Sequence, residues 1–401
     1  MSPSSAPALE SSSSPACLPR WPPPLERDAH ISFLVRALDG LSSSYASLDA
    51  SRPWLLYWTL HSLDLLGARP VDRFPGVVRF LARCQCPGGG FGGGPGQAPH
   101  TAATYAAVLA LAIVGGREAL GIIDTRGLRA LYASLKEVDT GGFRVAPGGE
   151  ADVRGAYTVL AVASLTGLLE EAGEEGGGAA GGREVGAADA RAAAVGGDAP
   201  AASPSGGGLA RGVAAFLLRC QSYEGGFGGE PGNEAHGGYT FCAAAGLALL
   251  RALPTADLPL LARWVARRQL RAEGGMAGRT HKLVDSCYSF WLGAVARILA
   301  QAAPAAPAII DWRRLQAYLL ACCQAPGGGM RDKPGKPRDL YHTCYALSGL
   351  ALAQQAAGAR AGEAGTPGEI ALAQTHPLYN IRTQHVLEAH AFFRERKLGS
   401  D

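Results

Sequence analysis

Residues 219–229 read RCQSYEGGFGG, and residues 83–93 read RCQCPGGGFGG. Both join the end of an apolar periodic segment to a Gly-Gly turn and then to a large apolar side chain. Looser copies stand at 133–145 (ASLKEVDTGGFRV), 267–278 (RRQLRAEGGMAG) and 322–332 (CCQAPGGGMRD). Glutamine falls at 85, 221, 269 and 324, with Lys136 in its place in the second copy, so the gaps are 51, 85, 48 and 55 residues. The long gap contains residues 172–207, a Gly/Ala/Pro/Ser-rich run without hydrophobic periodicity, which is expected to be a disordered insertion. Without those 36 residues the gap becomes 49. A period near 50 marks a repeat array.

The segments between the turns, such as TAATYAAVLALAIVG (101–115) and YTFCAAAGLALLRAL (239–253), are Ala/Leu-rich and of helical length. Each repeat therefore reads as two helices. With PWLLYWTLHSLDLLG (53–67) before the first copy and HVLEAHAFFRERK (385–397) after the last, the expectation is an all-α array of about a dozen helices. A β-propeller of similar period would need short alternating strands, which the sequence lacks. Periodicity leaves open whether the array closes into a ring.

Composition narrows the function class. The 401 residues carry 37 Lys plus Arg against 34 Asp plus Glu, a net charge of +3, so the total points to neither a nucleic-acid partner nor a membrane surface. Nine cysteines form no regular framework, which fits a reducing, cytoplasmic setting. Residues 1–26 read as a disordered Ser/Pro-rich tail, with the folded unit expected over 27–400. The longest apolar run, 105–114, is about half of what a bilayer requires, so no stable membrane insertion is expected.

KLVDSCYSFW (282–291) concentrates chemistry. Asp285 and Cys287 would stand about 200° apart in mid-helix, but a helix beginning at Ser286 lets Asp285 cap it and share a focus with Cys287. Cys287, Tyr288 and Trp291 then lie on one arc. Similar stripes occur in DLYHTCYAL (Tyr341, His342, Tyr345), in RPWLLYWTL (Trp54, Tyr57, Trp58) and in HGGYTF (His236, Tyr239). Asp285, Cys287 and His342 would make a three-ligand zinc site with a vacant fourth position. The same residues would equally serve as a cap, a small buried side chain and a core imidazole. Cys84/Cys86 and Cys322/Cys323 are rival ligands, but they flank repeat turns and read as buried. Arg279 and Lys282, with His236 and Tyr288, suit a phosphate or diphosphate near a helix N-terminus, or else form a solvated charged face.

With these residues in place, the chain resembles the β subunit of protein farnesyltransferase. The likeness runs from about residue 29 to 395, omitting the insertion, through LDASRPWLLYW, CQCPGGGFGGGPGQAPHTAATYAAV, GGEADVRGAY, EAHGGYTFC, KLVDSCYSFW, KPGKPRDLYHTCYALSGL and THPLYNI. It implies an α/α toroid of inner and outer helices around a deep cavity, and a heterodimer with a helical-repeat α subunit. It also implies transfer of farnesyl from farnesyl diphosphate to the cysteine of C-terminal CaaX sequences.

Carried over residue by residue, the resemblance makes Asp285, Cys287 and His342 zinc ligands. It puts His236, Arg279, Lys282 and Tyr288 at the diphosphate. Trp54, Arg154, Tyr157, Tyr239, Trp291 and Tyr345 would border the isoprenoid, and Trp54, Trp58 and Tyr341 the CaaX peptide. Asp332 matches a Mg²⁺-associated position. In the geranylgeranyltransferase type I β subunit, the main alternative, a smaller residue replaces Trp54 and a lysine replaces Asp332. Trp54, Tyr345 and Asp332 therefore favour farnesyl. Thr280 and His281 depart from the family pattern, leaving His281 as a competing ligand. A triterpene cyclase would need a DxDD-type acid, which is absent from the sequence. A non-catalytic scaffold would have no reason to keep the ligand positions.

Overall fold

A computed structural model of the chain describes residues 22–169, 208–303, 308–358 and 371–398. The insertion expected at 172–207 lies outside the described residues, as does the expected tail apart from 22–26.

Two helix types alternate along the chain. One type is apolar on nearly every side. In α4 (Thr101–Val114), twelve of fourteen residues are buried, which is the pattern of a helix enclosed by neighbours all round. The other type is amphipathic. In α3 (Phe74–Cys84) only Val77, Val78, Leu81 and Cys84 are buried, a single stripe. The enclosed set comprises α2 (Arg52–Leu65), α4, α7 (Val153–Leu165), α9 (Gly237–Leu249), α11 (Tyr288–Ala302) and α13 (Leu340–Ala356). Each packs on the next, and α13 returns to pack on α2, so the six form a closed inner ring. The amphipathic set forms the outer ring: α1 (Arg27–Asp39), α3, α6 (Thr125–Leu135), α8 (Val213–Arg219), α10 (Leu258–Ala266) and α12 (Trp312–Tyr318). A short α5 (Gly116–Gly121) and a C-terminal α14 (Thr383–Leu398) complete the described helices. The only sheet among the described residues pairs β1 (Met330–Arg331) with β2 (Arg338–Asp339), antiparallel. The expected all-α toroid of about a dozen paired helices is what forms.

The repeated glutamine explains closure. The side-chain oxygens of Gln85, Gln221 and Gln269 accept the backbone N–H of Asp124 (3.1 Å), Asp257 (3.0 Å) and Asp311 (2.8 Å). Those aspartates are the N-caps of α6, α10 and α12, so each repeat clips the start of the next outer helix. Gln324 does the same for the first helix, accepting from Glu26 N at 2.8 Å and from His30 Nε2 at 3.0 Å. Gly328 supports this contact. At φ +89° it lies so close to the Ala29 carbonyl that a Cβ would overlap it, and a non-glycine residue would also be strained there.

The segment 373–380 forms a floor. Tyr57, Tyr105 and Tyr157, from three inner helices, donate their hydroxyls to the carbonyls of Asn380 (2.7 Å), Tyr379 (2.9 Å) and Leu378 (2.7 Å). Ala373 N reaches Leu65 O at the end of α2, and the Tyr379 hydroxyl meets Ser164 near the end of α7. The floor thus lies toward the C-terminal ends of the inner helices, leaving their N-terminal ends for chemistry.

Candidate active site

The N-terminal turns of the inner helices carry the site. Helix α11 begins at Tyr288, two residues later than expected, because 286–287 form a turn whose hydrogen bonds are of the tighter i→i+3 kind. The expected capping survives this correction. The Asp285 carboxylate accepts the Cys287 N–H at 2.9 Å, which brings carboxylate and thiol to one focus. Asp339 caps α13 in a similar way, accepting the His342 N–H at 2.7 Å. Ser286 N bonds the Asp332 carbonyl at 2.9 Å, tying the start of α11 to the residue after β1, whose partner strand β2 leads into α13.

As a result, the ligand atoms of Asp285, Cys287 and His342 all lie within 4.8 Å of one another, and no other such group of three occurs among the described residues. His342 Nε2 stands 3.4 Å from Asp285 Oδ1, while its Nδ1 donates to Asp339 Oδ2 at 2.6 Å. A carboxylate–histidine pair of this kind fixes the ring and aims the other nitrogen at a metal. Burial disfavours the Asp285 charge, but the hydrogen bonds from His342 and Cys287 outweigh it and hold its pKa below the usual value. Burial also opposes the His342 charge, yet Asp285 and Asp339 raise that pKa to about 9. Cys287 is pushed well up, by burial first and then by Asp285. A buried sulfur, a carboxylate and an oriented imidazole fit a thiophilic divalent ion.

His236 caps α9, its Nδ1 accepting Gly238 N–H at 3.1 Å. Because Nδ1 is an acceptor and burial lowers the pKa, the ring is neutral and its proton sits on Nε2. Nε2 then donates to the Tyr288 hydroxyl at 3.0 Å, leaving the phenolic hydrogen free to point elsewhere. Burial raises the Tyr288 pKa, so that hydrogen is retained. Gly278 must be glycine here, since a Cβ would overlap the Tyr288 ring. Arg279 is half exposed and pairs with Glu234 at 3.3 Å. Lys282 is exposed and has no polar partner among the described residues.

A closed circuit of rings encircles the axis. Neighbouring centroids run Trp54–Tyr105 (5.6 Å), Tyr105–Tyr157 (5.5 Å), Tyr157–Phe241 (5.1 Å), Phe241–Trp291 (5.1 Å) and Trp291–Tyr345 (4.2 Å). Tyr345–Tyr341 (4.8 Å), Tyr341–Trp58 (5.4 Å) and Trp58–Trp54 (5.6 Å) complete it. All six inner helices contribute. Trp291 also belongs to the metal-side cluster, donating its indole N–H to Tyr341 at 3.2 Å.

Two expected residues, Arg154 and Asp332, and the competing ligand His281 sit less centrally. Arg154 is half exposed, held by Asp152 and Glu150, with its guanidinium 5.8 Å from the Tyr239 ring. Asp332 is engaged by the neighbouring Lys333 ammonium, and one carboxylate already carrying a cation is not by itself a Mg²⁺ site. His281 lies exposed at φ +56° and stands outside the ligand group. The rival cysteines 84 and 323 are buried, while 86 and 322 are only partly so, and all eight described cysteines are free.

Sequence reasoning missed Asp339, which was legible as an aspartate three residues before His342 at a helix start. It also missed Tyr105 and Phe241 in the ring circuit, which matched only as part of Ala-rich helices. No described helix is long and apolar enough to cross a membrane.

The prenyltransferase alpha-alpha toroid domain model matches residues 25–381. The chain is 35% identical over 393 residues to protein farnesyltransferase subunit beta of Arabidopsis thaliana, covering 83% of this chain and 74% of that one. It is 38% identical over 327 residues to the Schizosaccharomyces pombe subunit of the same name, covering 80% and 76%. Among solved structures, Candida albicans protein geranylgeranyltransferase-I complexed with GGPP superposes with a TM-score of 0.68 at 21% identity, over 93% of this chain and 99% of that one, a likeness of fold. With a closed toroid, a focused Asp/Cys/His trio and these sequence likenesses, the chain belongs to the family of protein farnesyltransferase β subunits.

Proposed function

We propose that this chain is the catalytic β subunit of a zinc-dependent protein farnesyltransferase, active as a heterodimer with a farnesyltransferase α subunit. Its substrates are farnesyl diphosphate and proteins ending in CaaX. The observation that carries this reading is the meeting of three environments at the start of α11. Cys287 belongs to the ligand trio, Tyr288 faces His236, and Trp291 joins the ring circuit.

Asp285, Cys287 and His342 would hold the zinc, with Asp339 orienting the imidazole. Bound zinc supplies Lewis acidity that lowers the pKa of an incoming peptide thiol. The aromatic circuit receives the farnesyl chain and excludes water, strengthening each nearby electrostatic contact. His236 orients the Tyr288 hydroxyl so that its hydrogen meets the departing diphosphate, and Arg279 and Lys282 add positive charge as the C1–oxygen bond breaks. The peptide sulfur, its proton released to solvent, forms the new bond to C1, and the diphosphate leaves with the bonding pair. A role for Asp332 near Mg²⁺ would require diphosphate oxygens as additional ligands and displacement of Lys333.

The test is co-expression with a farnesyltransferase α subunit, followed by zinc analysis and transfer assays with farnesyl and geranylgeranyl diphosphates. Cys287→Ala should lose both zinc and turnover while retaining farnesyl diphosphate binding. Full activity in that variant would refute the ligand assignment, and no transfer by the wild-type heterodimer would refute the function.

A further inference from the structure

The strand-like pairs Ala277–Val284 and Met276–Asp285 close a loop whose tip, 278–283, carries both Arg279 and Lys282. Gly237 N bonds Gly278 O at 2.8 Å and anchors the loop's first residue. Beyond it, the His281 backbone is left-handed at φ +56°, and His281, Lys282 and Leu283 are exposed. Between these regions sits one hydroxyl with two charged partners. Thr280 Oγ1 accepts from Arg268 Nη1 at 2.9 Å and donates to Glu224 Oε1 at 2.9 Å. Arg268, two residues past the end of α10, is only 7% exposed and stacks over Trp264 at 5.1 Å. Glu224 comes from the turn of the preceding repeat, held by its own N–H to Ser222 Oγ at 3.2 Å. The loop tip is thus clamped between two successive repeats through Thr280. Apart from the Arg279–Glu234 pair, no other side chain of 278–283 makes a polar bond among the described residues.

We propose that Thr280 is a positioning residue: its hydroxyl, fixed between buried Arg268 and Glu224, sets the loop conformation that presents Arg279 and Lys282 beside Tyr288. This rests on the assignment of Arg279 and Lys282 to the diphosphate. The physical basis is preorganisation. Two flexible cations on a free loop would have to be ordered in each turnover, whereas a clamped loop holds them where leaving-group charge develops. Replacing the hydroxyl by a methyl group leaves Arg268 and Glu224 without their shared partner, so the loop gains alternatives rather than losing bulk.

The test uses the heterodimer with a farnesyltransferase α subunit and measures single-turnover transfer from farnesyl diphosphate to a CaaX peptide. Thr280→Val should slow transfer by about tenfold to a hundredfold, with zinc content and peptide KM unchanged. Thr280→Ser should restore the rate, and Glu224→Gln should lower it in the same direction. In an Arg279→Ala/Lys282→Ala background, Thr280→Val should have little further effect, since its influence passes through those cations. Three results would overturn the inference alone: an unaffected rate in Thr280→Val, no rescue by serine, or an undiminished Thr280→Val effect in the double background. If the wild-type rate proves indifferent to Arg279→Ala/Lys282→Ala, the diphosphate assignment fails first, and this inference falls with it.

Discussion

The Asp339 carboxylate holds both ends of His342: Oδ1 accepts the backbone N–H at 2.7 Å, and Oδ2 accepts the ring Nδ1–H at 2.6 Å. One side chain therefore starts α13 and aims the imidazole. Asn is nearly as good a cap as Asp, but it cannot supply the charge. Asp339→Asn should leave the fold almost unchanged and weaken zinc affinity about 10- to 100-fold, as read by chelator competition. Unchanged affinity would show that the second contact does not tune the site.

Trp54 stands where the ring circuit passes from α2 to α4, within 5.6 Å of both Trp58 and Tyr105. Truncating it opens depth without touching the metal trio. Trp54→Thr should admit geranylgeranyl diphosphate as a substrate, seen as a shift in the ratio of kcat/KM for the two diphosphates. An unaltered ratio would place the length limit elsewhere in the circuit.

Gln324 closes the outer ring through Glu26 N and His30 Nε2, and donates to Pro24 O at 3.0 Å and to Leu320 O at 2.8 Å. His30 is fully buried, so losing the glutamine leaves its donor unsatisfied. Gln324→Ala should cost about 2–3 kcal/mol, with hydrogen exchange of α1 accelerating before that of α11. Equal protection of both helices would mean that closure does not depend on this clip.

His61 and His376 lie under the site in the floor network. Burial lowers both to about 4, with His390 adding to the effect at His376. The unfolded chain takes up protons near pH 6.5 that the folded chain refuses, so stability is complete above that pH and declines as pH falls toward 4. At pH 5 the loss should be about 2 kcal/mol per histidine relative to pH 7, measured by urea unfolding. A flat profile between pH 7 and 5 would contradict neutral, buried imidazoles.

Much of this was legible in one dimension because the causes are local. A Gly-Gly turn at the end of each apolar periodic segment and a period near 50 specify paired helices, whereas the division into inner and outer helices was implied only by the family resemblance. Capping is equally local, which is why Asp285 could be placed against Cys287 from spacing, even though the first turn tightened and moved the helix start to Tyr288. Asp332 shows the limit of position matching: its place in the chain and its neighbour Lys333 were both readable, but only the structure shows the Lys333 ammonium engaging its carboxylate.

The repeat, the paired helices and the residue chemistry are written along the chain, since turn conformation, capping and amphipathicity depend on neighbours a few positions apart. That the array is a ring and that His342 meets Asp285 follows from the three-dimensional packing. The same packing decided that eight aromatic rings form one circuit and that Thr280 bridges two repeats. Those relations join residues tens to hundreds of positions apart. Their geometry is set by how six inner helices pack around an axis, and no local rule of sequence encodes it.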